Sequence, residues 1–237
     1  MQQISLGNIK AEVVQKDIKN IHLSVYPPSG RVRIAAPFRI DLETIRIYAI
    51  SKLGWIKKQQ AKLRKQARES PREFIGRESH YFQGKRYLLK VIEADSAPTA
   101  YIKHTKIIMQ VRKGTSTEQK QIILQEWYRK QLKEIVPKYI AIWEEKMKVK
   151  VREFGIKKMK TKWGSCNREA KRIWLNLELA KKPPQCLEYI IVHEMIHLIE
   201  RNHNQRFIAL MDKFLPQWRH LKDELNRLPI SHSDWLY

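Results

Sequence analysis

Apolar residues fall along this chain in two rhythms. Over residues 4–36 they alternate with polar ones, the period of a strand with one buried face. Residues 21–26 and 31–35 flank the turn-forming Pro27-Pro28-Ser29-Gly30 and predict a hairpin with one basic face. After Pro37 the rhythm becomes helical. Asp41 can cap one long helix running to about Arg68, with Leu42, Ile45, Ala49, Leu53, Ile56 and Leu63 as its apolar stripe. Lys52, Lys57, Lys58, Lys62, Arg64, Lys65 and Arg68 lie on its other face. Such a face is ordinarily a solvated surface and otherwise a docking surface for an acidic partner.

Residues 69–72 read as a connector. Alternation returns over residues 81–93, with a turn at Gln83-Gly84, and over residues 100–112. Gly114-Thr115-Ser116-Thr117 closes this part and sets an expected boundary near Gly114. Residues 1–114 would form a β-rich domain with a long basic helix, and residues 115–237 a second domain. Ser116 with Gln119, or Thr115 with Glu118, can form a capping box. The next helix spaces Ile122, Ile123, Trp127, Leu132 and Ile135 at helical intervals. Pro137 kinks or ends it, and residues 138–148 continue as helix with Tyr139, Ile140 and Trp143 inward. Strands are expected at residues 149–154 and 172–179. Two helices come last, over residues 205–214 and 216–227. Their Ile208, Met211, Phe214, Trp218, Leu221 and Leu225 are spaced to pack on the helix before them. The class is α+β, and no internal repeat is visible.

One stretch carries chemistry. Residues 187–199 are nearly all apolar, so a helix here is buried, yet Glu188, His193, Glu194 and His197 interrupt it. Pro184 suits its first turn. His193 and His197 are one turn apart on the same face, which places two imidazoles on one metal ion. Glu194 is rotated about 100° from His193, to the edge of that face, where a water activated by the ion would lie. Burying these groups costs several kcal/mol unless something satisfies them. A metal does so; a hydrogen-bonded pair of core histidines with Glu194 in a salt bridge is the bland alternative. A catalytic zinc needs a third protein ligand. His203, where the helix should end between Asn202 and Asn204, is the best placed. Glu200 shares the helical face of His193 and His197, but three ligands along one straight helix line up rather than surround an ion. His220, Asp212 and Glu224 are more remote candidates.

The run Val192-His193-Glu194-Met195-Ile196-His197 continues to Asn202-His203-Asn204-Gln205-Arg206-Phe207. It resembles the zincin metallopeptidases, and more closely the YgjP-like metallopeptidase family, which is related to the SprT-like and minigluzincin proteases. That family joins W-G-S-C, a strand carrying Asn, a Pro-led helix with H-E-x-x-H, and N-H-S-x-x-F. Here these are Trp163-Gly164-Ser165-Cys166, Leu175-Asn176-Leu177, the helix itself and residues 202–207. Asn204 stands where Ser is expected and Lys162 where Arg is common. The resemblance implies one Zn2+ held by His193, His197 and His203, with Glu194 as general base in peptide hydrolysis. Zincins bind extended substrate along a strand above the cleft. Residues 172–179 or 163–167 would serve, with Trp163, Gly164, Ser165 and Asn176 as candidate substrate contacts. Asn176 could instead orient a metal ligand or bond a neighbouring loop, and Cys166 could be a thiolate ligand or nucleophile.

Charge adds a second theme. The 237 residues carry 47 Lys and Arg against 24 Asp and Glu, a formal charge of +23. The densest basic run, residues 146–162, leads into Trp163. A chain this basic is drawn to polyanions. The expected partner is a protein or peptide substrate, with nucleic acid possible through the basic surfaces. The alternative function is a nucleic-acid-associated protein or pseudoenzyme whose metal is structural. Two cysteines make no disulfide framework, residues 1–10 lack the apolar core of a cleaved leader, and no apolar run could span a bilayer. A cytoplasmic protein with no membrane partner is expected.

Overall fold

Apolar residues alternate along most of the N-terminal strands, and the buried ones share one face of a four-stranded sheet. The computed structural model describes residues 2–26, 29–65, 72–159 and 162–228. Strands β1 (Gln2–Leu6), β2 (Ile9–Lys16), β3 (His22–Tyr26) and β4 (Arg31–Pro37) lie in the order β1-β2-β4-β3. β2 and β4 are parallel; the outer pairs are antiparallel. Ala11, Val13, Val32, Ile34 and Ala36 form the core with Ile45, Ala49 and Ile56 from the two helices after β4. Asp41 caps the first of these, accepting from Thr44 N–H at 2.8 Å. The single long helix expected from the sequence is two: α1 (Leu42–Ser51) and α2 (Leu53–Lys65). Lys52 N–H reaches Ala49 O at 3.1 Å, a tightened last turn, and α2 restarts from Lys52 O with Ile56 N–H at 2.9 Å. Pro27, Pro28, the connector at residues 69–71, Lys160, and Pro229 with the tail after it lie outside the described residues.

The chain divides into two compact units, Met1–Arg68 and Glu69–His232. Gly114 falls within the second, in a turn where its φ of 78° requires the left-handed region. Strands β5 (Ser79–Phe82), β6 (Lys85–Glu93), β7 (Thr99–Lys103) and β8 (Lys106–Val111) precede it, in the order β5-β6-β8-β7. Their directions repeat the first sheet: antiparallel, parallel, antiparallel. Each sheet is followed by helix. This repeat is not legible in the sequence, because only topology is shared.

The second sheet does not stand alone, because one continuous core runs from its Phe82, Leu89 and Met109 to the C-terminal helices. The long helix α3 (Thr117–Met147) joins them. Ser116 and Gln119 form the expected capping box, at 3.0 and 3.3 Å. Pro137 sits inside α3 without ending it; Leu132, Val136, Ile140 and Trp143 are buried on either side, and that burial outweighs the lost hydrogen bond. Trp127 and Trp143 are core, as expected. A three-stranded sheet comes next, β10-β11-β9, made of β9 (Glu153–Lys157), β10 (Gly164–Asn167) and β11 (Arg172–Asn176). The strand expected at residues 149–154 begins later, at Glu153, since Val151 N–H is taken by the Glu144 carboxylate at 2.7 Å. The strand expected to reach Leu179 ends at Asn176, whose side chain caps a 3-10 turn (Leu177–Lys181). Helices α4 (Pro184–Ile196), α5 (Gln205–Phe214) and α6 (Trp218–Arg227) complete the unit.

Two contacts fix where α4 begins. The β5–β6 turn docks on the 3-10 segment, with Gln83 N–H on Ala180 O at 2.8 Å. Gly84, at φ 75°, has no room for a side chain: a Cβ would lie 2.9 Å from the Pro183 ring. Farther along, Trp143 Nε1–H donates to the Glu188 carboxylate at 3.0 Å and ties α3 to α4.

Candidate active site

Helix α4 presents the H-E-x-x-H motif from a buried segment: Ile191, Val192, Met195 and Ile196 are inaccessible. α4 ends at Ile196 and the chain turns, Glu200 N–H bonding Ile196 O at 2.9 Å. That turn brings His203 back over the motif. His203 Nε2 lies 3.0 Å from His193 Nε2 and 3.1 Å from His197 Nε2. Ligand atoms of all three lie within 4.8 Å of one another.

Three imidazole nitrogens this close cannot all be satisfied by one another, since each neutral ring has one N–H and one lone pair. His197 Nδ1 faces Glu200 O at 3.0 Å, so its proton belongs there and Nε2 keeps its lone pair. Burial, followed by the neighbouring His197, His203 and Lys222, holds His193 down to about 3. Burial also lowers His203, ahead of His197 and Lys222. Both are therefore neutral at neutral pH, the form that ligates metal. His193 Nδ1 is buried with no hydrogen-bond partner among the described residues. Zinc–nitrogen bonds of ~2.0–2.1 Å at tetrahedral angles set ligand nitrogens about 3.3 Å apart. The donor set fits a divalent transition metal.

Phe207 is the floor of the cluster. Its ring centroid is 5.0, 4.8 and 4.6 Å from those of His193, His197 and His203. In the sequence Phe207 stands as part of a motif with no role of its own. Its place four residues after His203, on the first turn of α5, was the available sign. Asn204 caps α5, accepting from Phe207 N–H at 3.0 Å, so the Asn in place of the expected Ser does the same work.

Glu194 is buried, and burial pushes its carboxyl up to about 8, with Lys162 acting in the opposite direction. It faces β10, where a Cβ on Gly164 would lie 2.6 Å from Glu194 Oε1. Glu194 and the histidines open on a cleft of about 930 Å3, with Trp163, Gly164, Ser165 and Cys166 on one wall and Tyr189 and Ile190 on the other. β10 is the outer strand of its sheet, so one row of its backbone groups has no strand partner. β11 is the central strand, which leaves residues 163–167 as the edge and excludes 172–179 from that role.

Other candidates fall elsewhere. Asn176 is buried and does not line the cleft. Its Nδ2 donates to Met159 O at 2.9 Å and Lys162 O at 2.8 Å, the loop-bonding role. The Glu200 carboxylate accepts from Asn202 N–H at 3.1 Å, outside the histidine cluster. Asp212 accepts from Trp218 Nε1 at 2.8 Å and pairs with Arg219. His220 and Glu224 are not part of the cluster. Burial, then Glu194, pushes the Cys166 thiol up to about 11, and Cys166 is not part of the histidine cluster.

His193 on α4, His197 at its C-terminal cap and His203 from the following turn thus form one cluster beside a buried glutamate and an open strand edge. The family model described as YgjP-like, metallopeptidase domain, matches residues 19–228. The chain belongs to the YgjP-like metallopeptidase family. No curated protein matches it. The YgjP-like match takes in β3, β4, α1 and α2 of the first unit and the described residues of the second, while β1 and β2 precede it. No helix among the described residues of this YgjP-like chain is long and apolar enough to cross a membrane.

Proposed function

We propose that this protein is a zinc-dependent peptidase in which His193, His197 and His203 hold the ion and Glu194 is the general base. The carrying observation is that His203 Nε2 lies 3.0 Å from His193 Nε2 and 3.1 Å from His197 Nε2, in one cleft with a buried carboxylate. Zinc held there would acidify a water toward pH 7 and polarise a substrate carbonyl. The chain's own residues do the rest. Glu194, made more basic by burial, would act as the carboxylate that takes the water's proton and returns it to the leaving amine. The unpaired edge of β10 accepts an extended peptide by main-chain hydrogen bonds. Gly164 keeps Glu194 against that edge. Trp163, Ser165 and Gly164 are then the substrate wall, while Asn176 holds the loop from which that wall starts. The substrate is a protein or peptide, and a cytoplasmic setting suits the two unpaired cysteines.

Metal content per chain, measured for the wild type and for His203→Ala, tests the ligand set. About one zinc per chain, lost or weakened in the variant, is expected. Glu194→Gln should then abolish peptide cleavage and retain zinc. A folded protein that takes up no zinc when it is offered would overturn the reading.

A further inference from the structure

Resting on the peptidase reading, we infer that the cleft selects extended acidic polypeptide, through a track of exposed cations along the β10 edge. Lys162 precedes β10 and Arg168 comes directly after it, so the two bracket the edge strand; Arg201 stands in the turn between α4 and α5. All three are exposed and line the cleft. Among the described residues none of them forms an ion pair.

Arg168 is more than a surface charge. Its Nε–H donates to Leu198 O at 3.1 Å, which fixes the guanidinium at the far end of the edge strand, with the half-buried Glu200 carboxylate within its electrostatic reach. It also lines a second depression, of about 840 Å3, with Lys148, Lys171 and Lys150. The two hollows therefore meet at Arg168. In the second, Lys150 is committed to Glu144 at 2.9 Å, while Lys148 and Lys171 form no ion pair among the described residues. Glu145 and Glu169 are the remaining exposed carboxylates along the track.

The geometry sets the register. Five residues of strand cover about 17 Å, so a peptide paired to residues 163–167 reaches from Lys162 to Arg168. Glu194 meets the strand at Gly164, nearer the Lys162 end. The peptide's acidic side chains then fall on both sides of the bond to be cut, with a longer acidic stretch toward Arg168, Lys171 and Lys148. Nucleic acid would seek the same charge but has no use for a strand edge.

The test uses the full-length Glu194→Gln protein, so that binding is read without cleavage. The probe is a fluorescent peptide with Glu residues on both sides of a central apolar pair, and its Gln counterpart. The Glu peptide should bind about tenfold more tightly at low salt, the advantage shrinking as salt rises. Arg168→Glu with Arg201→Glu should erase the preference. Lys57→Glu with Lys58→Glu, an equal change of net charge on the exposed face of α2, should leave it intact. Equal affinity for both peptides, or equal loss in both charge-reversed proteins, would overturn the inference. So would displacement of the Glu peptide by a single-stranded oligonucleotide at lower concentration than by unlabelled Glu peptide. Because no step requires turnover, a failed peptidase assay leaves this result readable on its own.

Discussion

Gly164 and Glu194 meet so closely that any side chain at position 164 would collide with the carboxylate. A Cβ built on Gly164 would lie 2.6 Å from Glu194 Oε1 and 2.7 Å from its Cγ, inside van der Waals contact. The glycine of the Trp163-Gly164-Ser165-Cys166 motif is therefore a space reserved for Glu194. Gly164→Ala must displace Glu194 or β10. It should lower kcat/KM at least about a hundredfold, since small displacements of a catalytic group are that costly. Stability should fall by about 1–3 kcal/mol from overpacking. Zinc content should be retained, and peptide kinetics with zinc analysis on one preparation check all three.

Phe207 carries the imidazoles on its ring. Phe207→Ala should cost about 3–5 kcal/mol of stability by opening a cavity under the cluster. Phe207→Leu, which keeps most of the volume, should fold well yet bind zinc more weakly than the wild type. Competition with a chromogenic chelator separates the two effects.

Removing metal should destabilise the whole second unit, because its ligands come from α4 and from the turn that leads into α5. A hundredfold excess of free zinc over its Kd corresponds to about 2.7 kcal/mol. Chelation should lower the melting temperature of the wild type and zinc addition restore it, with no such response in His193→Ala.

His80 sets an acid limit. It is 3% exposed, and burial first, then Arg72 and Lys181, hold it down to about 3 from 6.5. Between those values the unfolded chain takes up a proton that the folded chain refuses. Stability therefore falls as pH drops from about 6.5 toward 3, by up to about 1.4 kcal/mol per pH unit. His80→Leu should flatten that slope. Denaturant unfolding of both proteins across this range isolates His80 from the other histidines by difference.

How far the sequence could be read depended on where each interaction is made. Capping at Asp41 and at Ser116 was legible because a cap is satisfied within three residues. The histidine pair was legible for the same reason, being spaced by one helical turn. The convergence of His203 needed only the turn after α4. What escaped was non-local. Asn176 could not be assigned between an orienting and a loop role, because its partners, Met159 and Lys162, are brought to it by the fold. The break at Lys52 was hidden by an apolar stripe that runs on across it. Gly155, unremarkable in sequence, lies opposite Trp174 in the parallel β9–β11 pair, and its missing side chain is what lets the indole lie across the strand. Lys157 then covers the ring at 3.5 Å.

The repeated strand order bears on where each part of the chain keeps its core. The same four-stranded frame stands twice in one chain, once closed by two short helices and once extended by a helix of 31 residues. The first copy keeps its core to itself, within residues Ile4–Ile56. The second has opened its core at one end and shares it with everything added after α3. The helix that bears two of the histidines thus shares its core with the helix that leaves the second sheet. The first copy contributes none of the cluster's three histidines.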